Sequence, residues 1–390
     1  MTEIRLVEGE DRLRFGRPLT GYAFEASPRT DDLDELRRYL GIGRRRVHVL
    51  FDDDEPRCTA SVVEMTQNVR GALLPMGGVA GVATHPAGRR RGFARTMLTH
   101  VLSDMRDQGQ VVSTLYPFRA SFYERFGYVG VGAEPRATLR PGDLTPLLHT
   151  DVPGEVTLTR YPDAAAEVRE ATETALRETH GMALRADPDL AGARATDGYW
   201  AAVARIDGRV AGYLAYEIRA YPGELSVWRF LHDGPAARTL LLGWLARHTD
   251  QAATVSLPLR PVDDPATWVT DLDVTVTSRQ SPLHDPAPMV RVLSLPGLAG
   301  IPVGAGEITV RVADDLIGGV WTLSGDGTLS VAEGGTPSAE LTGHGLAALV
   351  YGVLDPADLA LRGYGAVSDR AAATLRELFP RATPFLLESF

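Results

Sequence analysis

The sequence predicts an α+β protein of three units: two α/β segments in tandem, then a smaller sheet with packed helices. Three observations predict it. At 390 residues the chain is too long for one ordinary core. A strand, a basic glycine loop and an amphipathic helix stand together in residues 77–107. A matching order of hairpin, strand, helix and strand returns in residues 200–259, and residues 308–379 read as short strands followed by helices.

The first unit is assigned residues 1–150. Residues 31–40 read as a helix, with acids in the first turn and arginines later, as the helix dipole prefers. Residues 47–51 and 57–65 read as strands. The acid run Asp52-Asp53-Asp54-Glu55-Pro56 between them is expected to be a solvated hairpin tip rather than a metal site. Residues 77–84 form an apolar strand that Pro86 stops, because proline cannot extend a ladder. In residues 93–107, Ala94, Met97, Leu98, Val101, Leu102 and Met105 recur at helical spacing. A strand at 111–115 and a short helix at 121–128 follow, and residues 130–153 read as an exit strand and linker.

The second unit, residues 151–287, begins with a helix at 165–178. Strands at 200–206 and 209–217 flank Asp207-Gly208, a strong hairpin signal. A strand at 225–231, a helix at 235–248 and a strand at 253–259 complete it. The third unit, residues 288–390, has strands at 308–312, 319–323 and 328–331, a turn at 324–327, and helices at 343–351 and 369–379.

Hydrophobic content of 44% and charged content of 23% are those of a soluble globular protein. No run approaches the roughly 18 uninterrupted apolar residues of a membrane span. Met1-Thr2-Glu3-Ile4-Arg5 lacks the apolar core of a signal peptide, so a cytoplasmic location is expected. The single cysteine, Cys58, excludes an intrachain disulfide framework and reads as a small core residue. A net charge of −10 argues against nucleic-acid binding and suits the gathering of cationic substrates. The nine histidines show no ligand spacing, and no metal is expected.

The chemistry centres on residues 77–95. Strand, loop and helix aim backbone N–H groups and a helix N-terminus at an anion. Arg89, Arg90 and Arg91 add fork-shaped donors suited to phosphate oxygens. There is no Gly-Lys-Ser/Thr of a Walker loop and no Gly-x-Gly-x-x-Gly of a dinucleotide fingerprint. A solvated basic patch at a helix start is the bland alternative. The motif present, Arg89-x-x-Gly92-x-Ala94 directly after a strand, resembles the acetyl-CoA loop of the GNAT acyltransferases. The phrase Tyr123-Glu124-Arg125-Phe126-Gly127-Tyr128 resembles the end of a GNAT domain, where a tyrosine stands beside the thioester sulfur. A phenol of pKa about 10 stays protonated at neutral pH and can donate to a departing thiolate, whereas Phe126 and Tyr128 read as packing residues. The second unit resembles a degenerate GNAT domain without a phosphate loop. The third resembles the sterol-carrier-protein fold in architecture.

In this order the three parts resemble the enhanced intracellular survival (Eis) acetyltransferases. The resemblance implies acetyl-CoA as co-substrate, primary amines of aminoglycosides or lysine side chains as acceptors, and a homohexamer. It implies cofactor contacts at Val82, Ala83, Thr84, Arg89, Arg90, Arg91, Gly92, Phe93, Ala94, Arg95, Phe118 and Arg119, and a general acid at Tyr123. The base it implies is the terminal carboxylate, which falls on Phe390. Pro380, Pro384 and the apolar run Phe385-Leu386-Leu387 fit a docked rather than a fraying tail. Glu25 and Glu388 are candidate contacts for further ammonium groups. Tyr22 and Phe24 are candidate cleft aromatics, with core packing the stronger expectation. A CoA- or lipid-binding interaction protein that kept the fold without catalysis is the rival reading.

Overall fold

The computed structural model describes residues 1–24, 45–186, 198–280, 287–387 and 390. The helix expected at 31–40, Glu25 and Glu388 lie outside the described residues.

The first unit runs β1 (Thr2–Val7), α1 (Arg17–Phe24), β2 (Arg45–Asp52), β3 (Glu55–Val69), β4 (Ala72–Thr84), α2 (Phe93–Asp107), β5 (Val112–Leu115), α3 (Ala120–Tyr123) and β6 (Val129–Gly130). β1 to β4 form an antiparallel meander. Asp53 and Asp54 turn the β2–β3 hairpin with φ of 52° and 64°, the left-handed pair that a tight two-residue turn requires. β4 and β5 are parallel, so their connection must cross the sheet, and α2 makes it. The helix buries Met97, Leu98, Val101, Leu102 and Met105 against Cys58, Ala60, Val62, Val79 and Leu115. The helical spacing read from the sequence is the face that packs, and Cys58 is fully buried within that face.

The second unit contains β7 (Arg136–Leu139), β8 (Glu155–Arg160), α4 (Ala165–Glu178), β9 (Ala183–Arg185), β10 (Trp200–Ile206), β11 (Arg209–Arg219), β12 (Gly223–His232), α5 (Pro235–Ala246), β13 (Ala252–Pro258) and β14 (Val274–Thr277). Its sheet has the order β14-β7-β13-β12-β11-β10-β8. Residues 130–153 are therefore not a linker. β7 is inserted between β13 and β14, and residues 141–149 form helical turns that bury Pro141 and Leu144. β9 leaves this unit to pair with β3.

The third unit begins with β15 (Met289–Val292), which joins the first sheet between β5 and β6 rather than the third. Then come β16 (Pro302–Ala313), β17 (Gly319–Glu333), β18 (Ala339–Thr342), α6 (Gly343–Val350), β19 (Gly365–Ala366) and α7 (Asp369–Leu378), with sheet order β17-β16-β18-β19. The turn expected at 324–327 is the interior of one strand. A Cβ on Gly325 would strike the Gly304 carbonyl, so this glycine serves close approach across an irregular ladder, not chain reversal.

The third unit covers the face of the first sheet opposite α2. Val63, Met65, Met76, Val112 and Val290 share one core with Leu346, Tyr351, Leu375 and Phe379. Arg291 on β15 meets Asp314 at 2.8 Å, both nearly fully buried, and Asp314 also accepts the amides of Leu316 and Ile317. Asp314→Ala would leave a buried guanidinium uncompensated, with an expected cost of about 3–5 kcal/mol by chemical denaturation.

Candidate active site

The site is a gap in the first sheet. β4 pairs β5 from Met76↔Val112 to Val79↔Leu115. β5 then ends, while β4 continues to Thr84 on its ladder with β3. The backbone of Ala80 to Thr84 on the β5 side is thus left without a strand partner. A bulge sharpens the divergence: Ser61↔Ala80 and Thr59↔Ala83 set Gly81 and Val82 against one residue of β3. Gly81 takes φ +59° there, which only glycine adopts freely.

At the far end of β4, His85 caps the Pro86–Gly88 turn, its Nδ1 accepting the Ala87 amide at 3.2 Å. The chain enters α2 through Gly92 at φ 86°, with no side-chain cap. Thr96 is the first amide with a backbone acceptor, on the Gly92 carbonyl at 3.0 Å. The first amides of a helix have no partner inside it and carry its positive dipole end. A Cβ on Gly92 would meet nothing within 4 Å, so the space before these amides is open. A diphosphate fits this cradle.

The three arginines divide. Arg91 is held by Asp52 at 2.9 Å and lies over the Phe93 ring at 4.7 Å. It braces the loop, and Phe93 is its buried platform. Asp52 is accordingly a structural partner and not part of a solvated tip. Arg89, Arg90 and Arg95 are exposed. Arg89 reaches the Tyr22 ring at 5.9 Å. Tyr22 and Phe24 are each 65% exposed, which overturns the expectation of core packing: they stand on α1, beside the gap rather than beneath it.

Tyr123 lies on the α2 face of the gap, among Phe118, Phe122 and Tyr128, with ring centroids 5.6, 5.1 and 6.3 Å away. Burial pushes its phenol well above the ordinary value, with Tyr128 and Cys58 adding to the rise. The proton therefore stays on Tyr123 at alkaline pH. If Tyr123 is the leaving-group acid that the resemblance implies, the rate of acceptor acylation should show no fall from its deprotonation up to about pH 10, the unperturbed phenol value; a titration below that pH, abolished by Tyr123→Phe, would contradict that role. Tyr128 packs as expected, its hydroxyl 2.7 Å from Ser113. Phe118 and Arg119 follow the end of β5 and are exposed.

Phe390 lies on the opposite face. Its ring packs with the core beneath the sheet, 5.7 Å from the Tyr116 ring. A Cβ on Gly78 would come within 2.8 Å of it. Gly78 pairs with Thr114 one step before the strands part. The chain reaches this seat through fixed points. Pro380 O accepts from Arg70 at 2.8 Å, the Ala382 amide donates to Gly352 at 3.1 Å, and the Phe385 amide donates to His180 at 2.8 Å. Phe385 and Leu387 enter the core of the second unit, and Leu386 that of the first and third. Arg70 and Tyr116 carry no signal in the sequence that points to this site, since their partners lie more than two hundred residues away.

The second unit closes the corresponding gap. Beyond Ser226↔Ser256, where β12 and β13 part, Arg136 donates to the carbonyls of Val227 at 2.8 Å and Ser256 at 3.1 Å. At the end of β12, His232 contacts Asp263 at 2.7 Å and Arg260 donates to the His232 carbonyl at 2.9 Å, all buried. Arg136→Ala should reopen this seam and destabilise the unit by about 1–3 kcal/mol in thermal unfolding, through unsatisfied carbonyls.

Among the described residues no group of three or more His, Cys, Asp or Glu could hold a metal, and no helix is long and apolar enough to cross a membrane. A sheet split between parallel strands over an open helix N-terminus defines an acyl-CoA-dependent acyltransferase fold. Residues 3–130 and residues 177–292 each match a model of the acetyltransferase (GNAT) domain. The chain thus carries two GNAT acetyltransferase domains and is an acyltransferase. No curated protein matches it. Among solved structures, a GCN5-related N-acetyltransferase from Anabaena variabilis is 20% identical, with 100% of both chains covered and a TM-score of 0.85. One from Kribbella flavida is 24% identical over 100% of this chain and 99% of its own, with a TM-score of 0.82. An Eis protein from Mycobacterium abscessus is 20% identical over 100% of both chains, with a TM-score of 0.78. These likenesses extend the shared fold to the whole chain, third unit included.

Proposed function

We propose that the chain transfers an acetyl group directly from acetyl-CoA to primary amines of cationic substrates, aminoglycosides or lysine-like side chains, as a member of the Eis group. The observation that carries this reading is the β4–β5 gap with a buried phenol on one face and Phe390 on the other. The amides of residues 90–95 and the guanidinium groups of Arg89, Arg90 and Arg95 would hold the pyrophosphate. The unpaired edge of Val82, Ala83 and Thr84 would hold the pantetheine arm and the developing oxyanion. Acetyl-CoA supplies the activated acyl group as a thioester.

In a chain ending at Phe390, its carboxylate takes a proton from the acceptor ammonium, directly or through water. An unperturbed terminal carboxylate has a pKa of about 3.5, so partial desolvation has to raise its basicity. The free amine forms the C–N bond at the thioester carbonyl, and the C–S bond breaks. Tyr123 Oη gives its proton to the departing sulfur and regains one as the acylated nitrogen sheds its second proton through water. The net charge of −10 draws polycations toward the protein at low salt. The third unit, in this reading, resembles a sterol carrier in architecture only; it covers the sheet and carries the tail.

Incubation with acetyl-CoA and a panel of aminoglycosides, polyamines and lysine peptides, read by mass spectrometry, tests the proposal. Mass gains of one acetyl unit or more on the amines are expected. Tight CoA binding with no acetylated product would favour the rival reading, a CoA-binding interaction protein.

A further inference from the structure

The third unit grips the segment that carries Tyr123. Tyr123 ends α3, and Glu124 follows as its C-cap, the Glu124 amide bonding to the Ala120 carbonyl. Glu124 is held at two points, both from residues more than two hundred positions away. Its carboxylate accepts from the Tyr364 hydroxyl. Its backbone carbonyl accepts from Nε2 of His344. The two gripping side chains are themselves fixed. His344 and Tyr364 stack with centroids 4.9 Å apart and planes at 8°. His344 Nδ1 lies 3.2 Å from the Thr342 hydroxyl, and because the Glu124 carbonyl can only accept, Nε2 is the nitrogen that carries the proton there. Arg362 donates to the Tyr364 hydroxyl at 2.9 Å and stands 3.7 Å from the Glu124 carboxylate.

A short helix of Ala120–Tyr123 has little stability of its own. On the open side Phe118 touches Phe122 and Tyr123 from an exposed position and Arg119 is exposed, so packing there is one-sided. A carboxylate clamped by a buried hydroxyl and a carbonyl clamped by an imidazole fix both the side chain and the peptide plane of the next residue. Proton donation to a leaving sulfur depends on hydrogen-bond distance, and a misplacement of about 1 Å can cost two orders of magnitude in rate.

We infer that Glu124, His344 and Tyr364 are positioning residues for Tyr123, so that the third unit sets the aim of the leaving-group acid. The inference rests on the proposed role of Tyr123. It gives the third unit a part in the reaction that needs no ligand of its own. Tyr364→Phe keeps the ring stack and removes the donor to Glu124. It should lower kcat for amine acetylation about tenfold and leave the acetyl-CoA KM within about twofold, since the cradle at residues 90–95 is untouched. Glu124→Gln keeps an acceptor oxygen and should lose less.

The discriminating measurement is a double-mutant cycle with Tyr123→Phe. If the clamp acts through the Tyr123 hydroxyl, Tyr364→Phe has almost no further effect once that hydroxyl is gone. Should Tyr364→Phe fail to fold, Arg362→Met on the exposed rim loosens the same hydroxyl and enters the same cycle. An unchanged kcat in the clamp variants, or losses that simply multiply with that of Tyr123→Phe, would overturn the inference and leave the role of Tyr123 standing. A Tyr123→Phe enzyme with undiminished kcat would remove the role of Tyr123 and the inference with it.

Discussion

Tyr123→Phe is expected to lower kcat for amine acetylation by about 10²–10⁴-fold, the usual worth of a positioned proton donor, with acetyl-CoA affinity nearly unchanged. Tyr123 is 4% exposed, and burial holds its proton firmly. Removing the hydroxyl leaves the ring contacts to Phe118, Phe122 and Tyr128 in place. Folding and the phosphate cradle should therefore survive, and the loss should sit in kcat alone. Steady-state kinetics together with calorimetric CoA binding separate the two quantities. A rise in KM at constant kcat would make Tyr123 a wall of the thioester pocket instead of an acid.

The second large effect belongs to the tail. If the Phe390 carboxylate is the base proposed above, a few residues appended after Phe390 should depress kcat by about 10²-fold or more, again with little change in CoA binding. Gly78→Val approaches the same point from the strand: its Cβ would enter the space of the Phe390 ring, and the Met65 sulfur at 3.1 Å leaves little room to yield. The two variants should fail alike, by loss of kcat. Full activity in the extended chain would exclude the carboxylate as base, and full activity in Gly78→Val would exclude the seat.

Much of this architecture was legible because local signals and tertiary packing agree. The apolar spacing of Met97, Leu98, Val101, Leu102 and Met105 is the buried face of α2. Asp207-Gly208 makes the tight turn its residue types favour, with φ of 51° and 76°. Pro86 and Gly92 mark where strand becomes loop and loop becomes helix. What was not legible involves partners far apart in sequence. Met289–Val292 is a strand, yet nothing local says that it joins a sheet begun at residue 2. Arg136–Leu139 follows the first unit and pairs in the second. Arg91 carries the same charge as Arg89 and Arg90, and its ion pair with Asp52 is set by a residue of another strand. Gly325 and Gly327 look like a turn because glycine permits both chain reversal and close approach, and composition cannot separate the two uses. The grip on Glu124 joins residue 124 to residues 344 and 364, a separation at which no spacing rule operates.

A structure of the protein with coenzyme A is the most direct test of where the thioester is held. The diphosphate should lie against the amides of Arg90 to Arg95, and the thiol should reach between Val82 and Tyr123 through the opening beyond Val79 and Leu115. Coenzyme A bound elsewhere, with those amides facing only solvent, would contradict the assignment of the site and every catalytic role built on it.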